Sequence, residues 1–342
     1  MDAKITKTRL SRLLSYDWLK IILAAAAAIL VWSLIFTMTA TRITPAQQFT
    51  VFNHEGNTPF MSTSFDDLYA KAFQDKVFSY EVIETNVNDL AANKEYASTL
   101  MEARLATEEG DVMFVPDIDN PNTAKQVEGE ETVEYEFTYL ETFIMRNRPY
   151  VYELDPEKET SFFGKMELYL DGFYDGGWEN AESLNEEKVE TQFRARVKKD
   201  KRFKKEKQIK QGVQEDIERI KKYRDALEKF YAWEEAGIVS FTTTVFSDRE
   251  AEKDVYYPAD GMYSINLCPN VKTMDGLKKY VGYNVERVDE NGKKYYPVTA
   301  ENMNVAFFYF DGVEEGFQYE SLLFVNYLIE AALAETQATQ QK

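Results

Sequence analysis

One cysteine, Cys268, and one histidine, His54, are all that 342 residues contain of either type. A lone thiol cannot close an internal disulfide, which suits a secreted chain only where disulfide use is sparse, as in many monoderm bacteria. A single imidazole removes most zinc sites and most histidine-based acid–base arrangements. The chain has no Gly-rich phosphate loop, no nucleophile elbow and no Cys/His cluster. Its 59 acidic residues are too many for any carboxylate pair to stand out as a glycosidase pair. Positive charge is also short, since 40 Lys and Arg against those 59 acids leave a net charge of −19, and such a surface repels nucleic acid. These absences together point to a non-catalytic protein with no cofactor, no metal and no nucleic-acid partner.

Charge of either sign is missing from one stretch, the twenty residues from Ile21 to Ala40. At ~1.5 Å per residue it makes about 30 Å of helix, the thickness of a bilayer's hydrocarbon core, and Trp18 stands where an interfacial ring belongs. Residues 1–20 carry five basic and two acidic side chains, so the chain beyond them carries −22. By the positive-inside rule the N-terminus is cytoplasmic and residues 41–342 lie outside. The apolar run exceeds the ~7 to 15 residues of a signal-peptide core, Met38-Thr39-Ala40 is a poor cleavage site, and no cysteine follows for a lipid anchor. The expectation is an uncleaved signal anchor over 21–40, a cytoplasmic basic tail over 1–20, a stalk over 41–47, an extracellular α/β domain over 48–333, and a frayed tail over 334–342.

Within the domain, Phe49-Thr50-Val51-Phe52 reads as a first strand ending at Asn53. Ser64 and Asp67 open a helix with Phe65, Leu68, Tyr69 and Ala72 on one face. Phe78, Tyr80 and Val82 alternate as a second strand, residues 88–109 read as a helix closed by Gly110, and Val112–Val115 is a third, apolar strand stopped by Pro116. Strand, helix, strand, helix, strand with short connections predicts a parallel sheet covered by helices. The stretches FTVFNHEGN and KEYASTLMEARLATEEGDVMFVPD resemble the first lobe of extracellular solute-binding proteins of ABC importers, the cluster that includes sugar and oligosaccharide binders. That resemblance implies a two-lobed, periplasmic-binding-protein-like fold, shortened and membrane-anchored, whose first strand ends in a ligand-facing loop.

Further on, Val133, Tyr135, Phe137 and Tyr139 alternate as a half-buried strand. DGFYDGGWEN, residues 171–180, is a Gly-rich loop holding Phe173, Tyr174 and Trp178. Its rings either stack on a sugar beside Asp171 and Asp175 or tuck into the core; as a calcium site its spacing matches no EF-hand. One or two long helices are expected between 186 and 236, where ten of the seventeen residues from Arg194 to Lys210 are Lys or Arg. That run either pairs with local carboxylates as a solvated face or meets an anionic lipid surface, an anionic wall polymer or an acidic partner. Val239–Phe246, Gly261–Leu267 and Val305–Phe310 read as strands, Asp289-Glu290-Asn291-Gly292 as a turn, and Ser321–Leu333 as a core helix.

In open α/β sheets ligands bind beyond the carboxyl ends of the strands. That rule nominates Asn53, His54 and Glu55 after the first strand and Asp117 and Asp119 after the third, with Trp178, Tyr257 and Tyr263 as aromatic candidates from a second lobe. Lys198, Lys199, Lys204 and Lys205 are the candidates for an anionic partner. Two functions follow. One is a membrane-tethered domain capturing a small ligand such as a sugar; the other is a degenerate solute-binding fold that docks on an envelope or transporter protein as an interaction subunit.

Overall fold

In a computed structural model of the chain, the described residues are 7–8, 11, 18–39, 48–60, 63–80, 82, 84–126, 133–200, 202–247, 257–311 and 316–341. The expected stalk, 41–47, lies outside them. The chain divides into two units, Met1–Thr44 and Pro45–Lys342. The first is built on α1 (Trp18–Thr39), whose segment Trp18–Phe36 has a mean hydropathy of 2.4 and no buried residues. That helix is long and apolar enough to cross a membrane, a property that an anchor and a signal sequence share.

The second unit is a mixed α/β domain. Strands β1 (Gln48–Asn53), β2 (Glu84–Asp89) and β3 (Val112–Pro116) run parallel, joined by α2 (Ser64–Gln74) and α3 (Ala97–Ala106). After the short strands β4 (Ala124–Gln126) and β5 (Val133–Tyr135) come four helices: α4 (Tyr139–Asn147), α5 (Phe162–Asp171), α6 (Glu186–Val197) and α7 (Glu206–Glu235). Strands β6 (Ser240–Thr244) and β7 (Gly261–Asn266) follow, then the two-residue strands β8 (Tyr283–Asn284), β9 (Arg287–Val288), β10 (Lys294–Tyr295) and β11 (Val298–Thr299), then β12 (Met303–Phe307) and the C-terminal helix α8 (Glu320–Gln340). Among the described residues the central sheet has six strands in the order β2-β1-β3-β12-β7-β6. β12 runs antiparallel between β3 and β7, and β6 antiparallel beside β7. The late strands therefore extend the sheet that β1 to β3 begin.

Alternation along β1 decides which side each helix covers. Phe49 and Val51 face α2 and α8, where Phe324 lies 5.2 Å from Phe49 between ring centroids. Phe52 faces the other way, with Met113 and Val115, onto α3 and α4. β3 is buried at every residue, as expected of a strand covered on both faces.

Several elements differ from the sequence expectation. Phe78, Tyr80 and Val82 are not in a strand: Phe78 packs 4.7 Å from Phe49, Ser79 donates to Glu320, and the second strand begins only at Glu84. The following helix starts only at Ala97, with Asn88 and Asp89 held in β2, and it ends at Ala106 with Thr107 as its C-cap; Glu108, at φ 58°, takes the left-handed position before Gly110. The strand around 133–139 stops at Tyr135, since Thr138 and Glu141 form a capping box that starts α4. Of the one or two long helices expected over 186–236 the chain forms two, α6 and α7, as the sequence allowed. The C-terminal helix runs on through the expected frayed tail to Gln340, held where the Thr336 hydroxyl accepts from Gly276 N–H at 2.8 Å.

Candidate functional site

The crossover through α2 covers one face of the sheet and that through α3 the other, so β1 and β3 meet at a topological switch point, and their carboxyl ends frame the crevice where such sheets bind ligands. Asn53, His54, Glu55 and Asp117 stand there. The crevice is filled by its own chain. Asn53 is fully buried, and its amide donates to Thr58 O at 2.9 Å and to Asp89 Oδ1 at 2.8 Å. The Asn57 amide donates to Asn53 Oδ1 at 2.8 Å and to Phe114 O at 2.9 Å, which folds the loop back over the ends of both strands. Thr58 ties that loop to Gly282 O through both its N–H and its hydroxyl, each at 2.9 Å.

His54 is part of this plug. Its Nδ1 accepts from Gly56 N–H at 3.1 Å, and its ring lies edge-on to Tyr139 and Phe143. Burial, with the positive charges of Arg146 and Lys94, holds its pKa down to about 3, so the imidazole stays neutral at ordinary pH. Burial raises the Asp117 carboxyl above its usual range, opposed by the Thr138 hydroxyl and reinforced by Glu141. Asp119 is exposed and bridges to Thr138 through the backbone. Glu55 is half-buried.

Two of the three aromatic candidates are buried. Trp178 is 6% exposed, with its backbone N–H donating to Asp171 Oδ1 at 2.8 Å and its ring in the core beside Tyr231, so the rings of the 171–180 loop tuck inward. Tyr263 is 1% exposed, lies under the Arg148 guanidinium at 4.4 Å and donates its hydroxyl to Ala259 O. Tyr257 is half-buried against Phe246 and Phe137. An open groove of about 460 Å³ lies elsewhere, between Tyr174, Glu182 and the Lys221–Glu228 face of α7. Its arginine is committed: Arg224 bonds Glu228 at 2.7 Å and Ala181 O at 3.1 Å and covers the Tyr174 ring.

Comparison with family models, with curated proteins and with solved structures finds no match to this chain.

The basic run forms the tip of the α6–α7 hairpin. Phe203 packs 5.1 Å from Phe193, edge to face, over Gly212, where no side chain fits because a Cβ would stand 2.2 Å from Phe193 Cζ. The arginines pair inside the hairpin: Arg194 with Glu190 and Glu206, Arg196 with Asp216 at 2.5 Å, and Arg202 with Asp200 at 2.7 Å. Lys198, Lys199, Lys204 and Lys205 are all exposed, and none pairs with a carboxylate among the described residues.

A buried polar cluster at the opposite end of the sheet from the crevice has no counterpart in the sequence reading. Glu320 is fully buried and accepts from Ser79 N–H at 2.7 Å, from the Ser79 hydroxyl and from Tyr223 OH at 2.6 Å; burial nevertheless raises its pKa. Asp111 accepts from Thr50 N–H at 2.6 Å, and burial together with the Glu320 charge pushes its carboxyl up to about 7. Arg219 covers the Tyr80 ring at 3.9 Å and pairs with Asp216 at 2.5 Å. The Gly110-Asp111-Val112 stretch is visible in the sequence, but nothing local marks its carboxylate as buried.

Proposed function

We infer that this chain is a single-pass, membrane-tethered protein, N-terminus cytoplasmic, whose outer α/β domain is non-catalytic and docks on another component of the cell envelope. The observation that supports docking over capture is the plugged crevice: Asn53 and Asn57 use their amides to seal the switch point, and Trp178 and Tyr263 are buried. What the domain exposes instead is the lysine tip and the β9–β10 ribbon carrying Val288, Tyr295 and Tyr296, of which Tyr is a residue type enriched at protein interfaces.

A thermal-shift screen of the full chain in detergent against sugars, oligosaccharides, amino acids and peptides tests this reading. A ligand that binds only the folded state raises the melting temperature by mass action, so docking predicts silence across the panel. A clear shift with one class would overturn it in favour of capture. One observation keeps capture as the second reading: Asn57 Oδ1 is buried at the switch point without a hydrogen-bond partner. On that reading the 54–60 loop would have to open for a ligand to enter.

A further inference from the structure

The lysine tip and the N-terminus of the outer domain lie at one end of it. β1 begins at Gln48, at the end of the sheet where Asp111 precedes β3 and Ser79 precedes β2. α7 crosses that end at Tyr223, which is bonded to Ser79, Glu320 and Gly316 O. From there its two directions are fixed by α8: Asn326 reaches Ala226 O at 2.8 Å and Glu330 meets Lys229, so the C-terminal half of α7 climbs beside α8 along the sheet. The N-terminal half therefore projects past the sheet, and the seventeen residues from Tyr223 back to Glu206 carry the tip about 25 Å along the helix axis. On the reading that α1 crosses a membrane, Gln48 is the point at which the outer domain's chain continues from that helix.

We propose that the α6–α7 tip binds the anionic phospholipid headgroups of that membrane, with Lys198, Lys199, Lys204 and Lys205 as the contacting cations. The division of labour between the two basic residue types selects lipid over an acidic protein face. Arginine, whose planar fork suits bidentate carboxylate pairing, is engaged within the hairpin, whereas the outward cations are lysines, hydrated point charges that need no fixed partner geometry. In a chain of net charge −19 the tip is the strongly basic patch, so the remainder of the surface is held off an anionic bilayer while the tip is drawn to it. Packing of Phe203 on Phe193 over Gly212 keeps the four lysines on a preformed loop, which lowers the ordering needed on contact. The proposal rests on the membrane-tethered reading given above.

The test uses the full chain in nanodiscs, with Gln211→Cys carrying a donor dye and an acceptor on the lipid headgroups; Cys268 is fully buried and stays unlabelled. Single-molecule energy transfer is compared in phosphatidylcholine discs and in discs containing phosphatidylglycerol. The tip should sit close to the bilayer only in the anionic discs and be released by salt. Lys→Gln at 198, 199, 204 and 205 together should reduce the ratio of contacting to released tip by about fivefold per lysine, with an unchanged melting temperature showing that the hairpin still folds. Transfer that ignores lipid charge, salt and the four substitutions overturns the lipid contact while leaving the anchor standing. A chain that does not remain in the disc overturns anchor and contact together. Neither result bears on the thermal-shift screen, which separates docking from capture.

Discussion

Asp111→Asn tests the buried carboxyl pair. The Asp111 carboxyl is pushed up to about 7 from an ordinary value of 3.8 by desolvation in its half-buried position and by the Glu320 charge, with a single backbone donor, Thr50 N–H, opposing the shift. A raised acid holds its proton in the folded state at pH values where the unfolded chain has released it. Stability is therefore favoured at low pH and falls as pH rises from about 4 through about 7, the full penalty standing above that. A shift of about 3 units corresponds to about 4 kcal/mol. Asparagine keeps an oxygen for Thr50 and has no charge to bury, so the variant escapes the penalty. Relative to the parent, it should be more stable at about pH 8 than at about pH 5, by about 2.5 kcal/mol. Urea unfolding of the full chain in detergent, followed by near-ultraviolet circular dichroism, reads the packed aromatic core. A stabilisation equal at both pH values, or larger at the acidic one, would refute the assignment of a buried, proton-holding Asp111.

Trp178→Ala removes a ring packed in the core and should destabilise the domain by about 3–5 kcal/mol, seen as a lower melting temperature; an unchanged one would mean that the ring is free for a ligand after all. Gly212→Ala places a Cβ 2.2 Å from Phe193 Cζ and 2.9 Å from Phe203 Cε1. It should loosen the hairpin at a cost of about 1–3 kcal/mol and speed tryptic cleavage between 198 and 205, whereas cleavage at the parent rate would count against that packing.

Much of the domain was legible because its signals are local. The periodicity of Phe65, Leu68, Tyr69 and Ala72 marks α2, the apolar run of β3 marks a strand covered on both faces, and the Asp289–Gly292 turn closes β9 on β10 as expected. Where it misled, a tertiary contact had taken over a local pattern. Phe78, Tyr80 and Val82 alternate like a strand, yet the first packs on Phe49 and Tyr80 stacks under Arg219 from α7. The nominated residues Asn53, His54, Glu55 and Asp117 do stand at one switch point, since a strand's end follows from its sequence, whereas Trp178 and Tyr263 are buried in the core. Whether a ring faces solvent depends on chain segments far away in sequence.

The sequence by itself determined the apolar helix at the N-terminus, the acidic balance with its basic island, and the strands β1 and β3, because each depends on composition or on a pattern within a few residues of chain. Only the tertiary structure decided the rest: that β12 enters the sheet between β3 and β7, that Asn57 seals the crevice left by β1, that arginines pair while lysines stay exposed, and that Ser79 and Tyr223 meet Glu320 in the core. Each of these joins residues widely separated along the chain, and burial, which sets both packing and charge state, exists only once those segments have met.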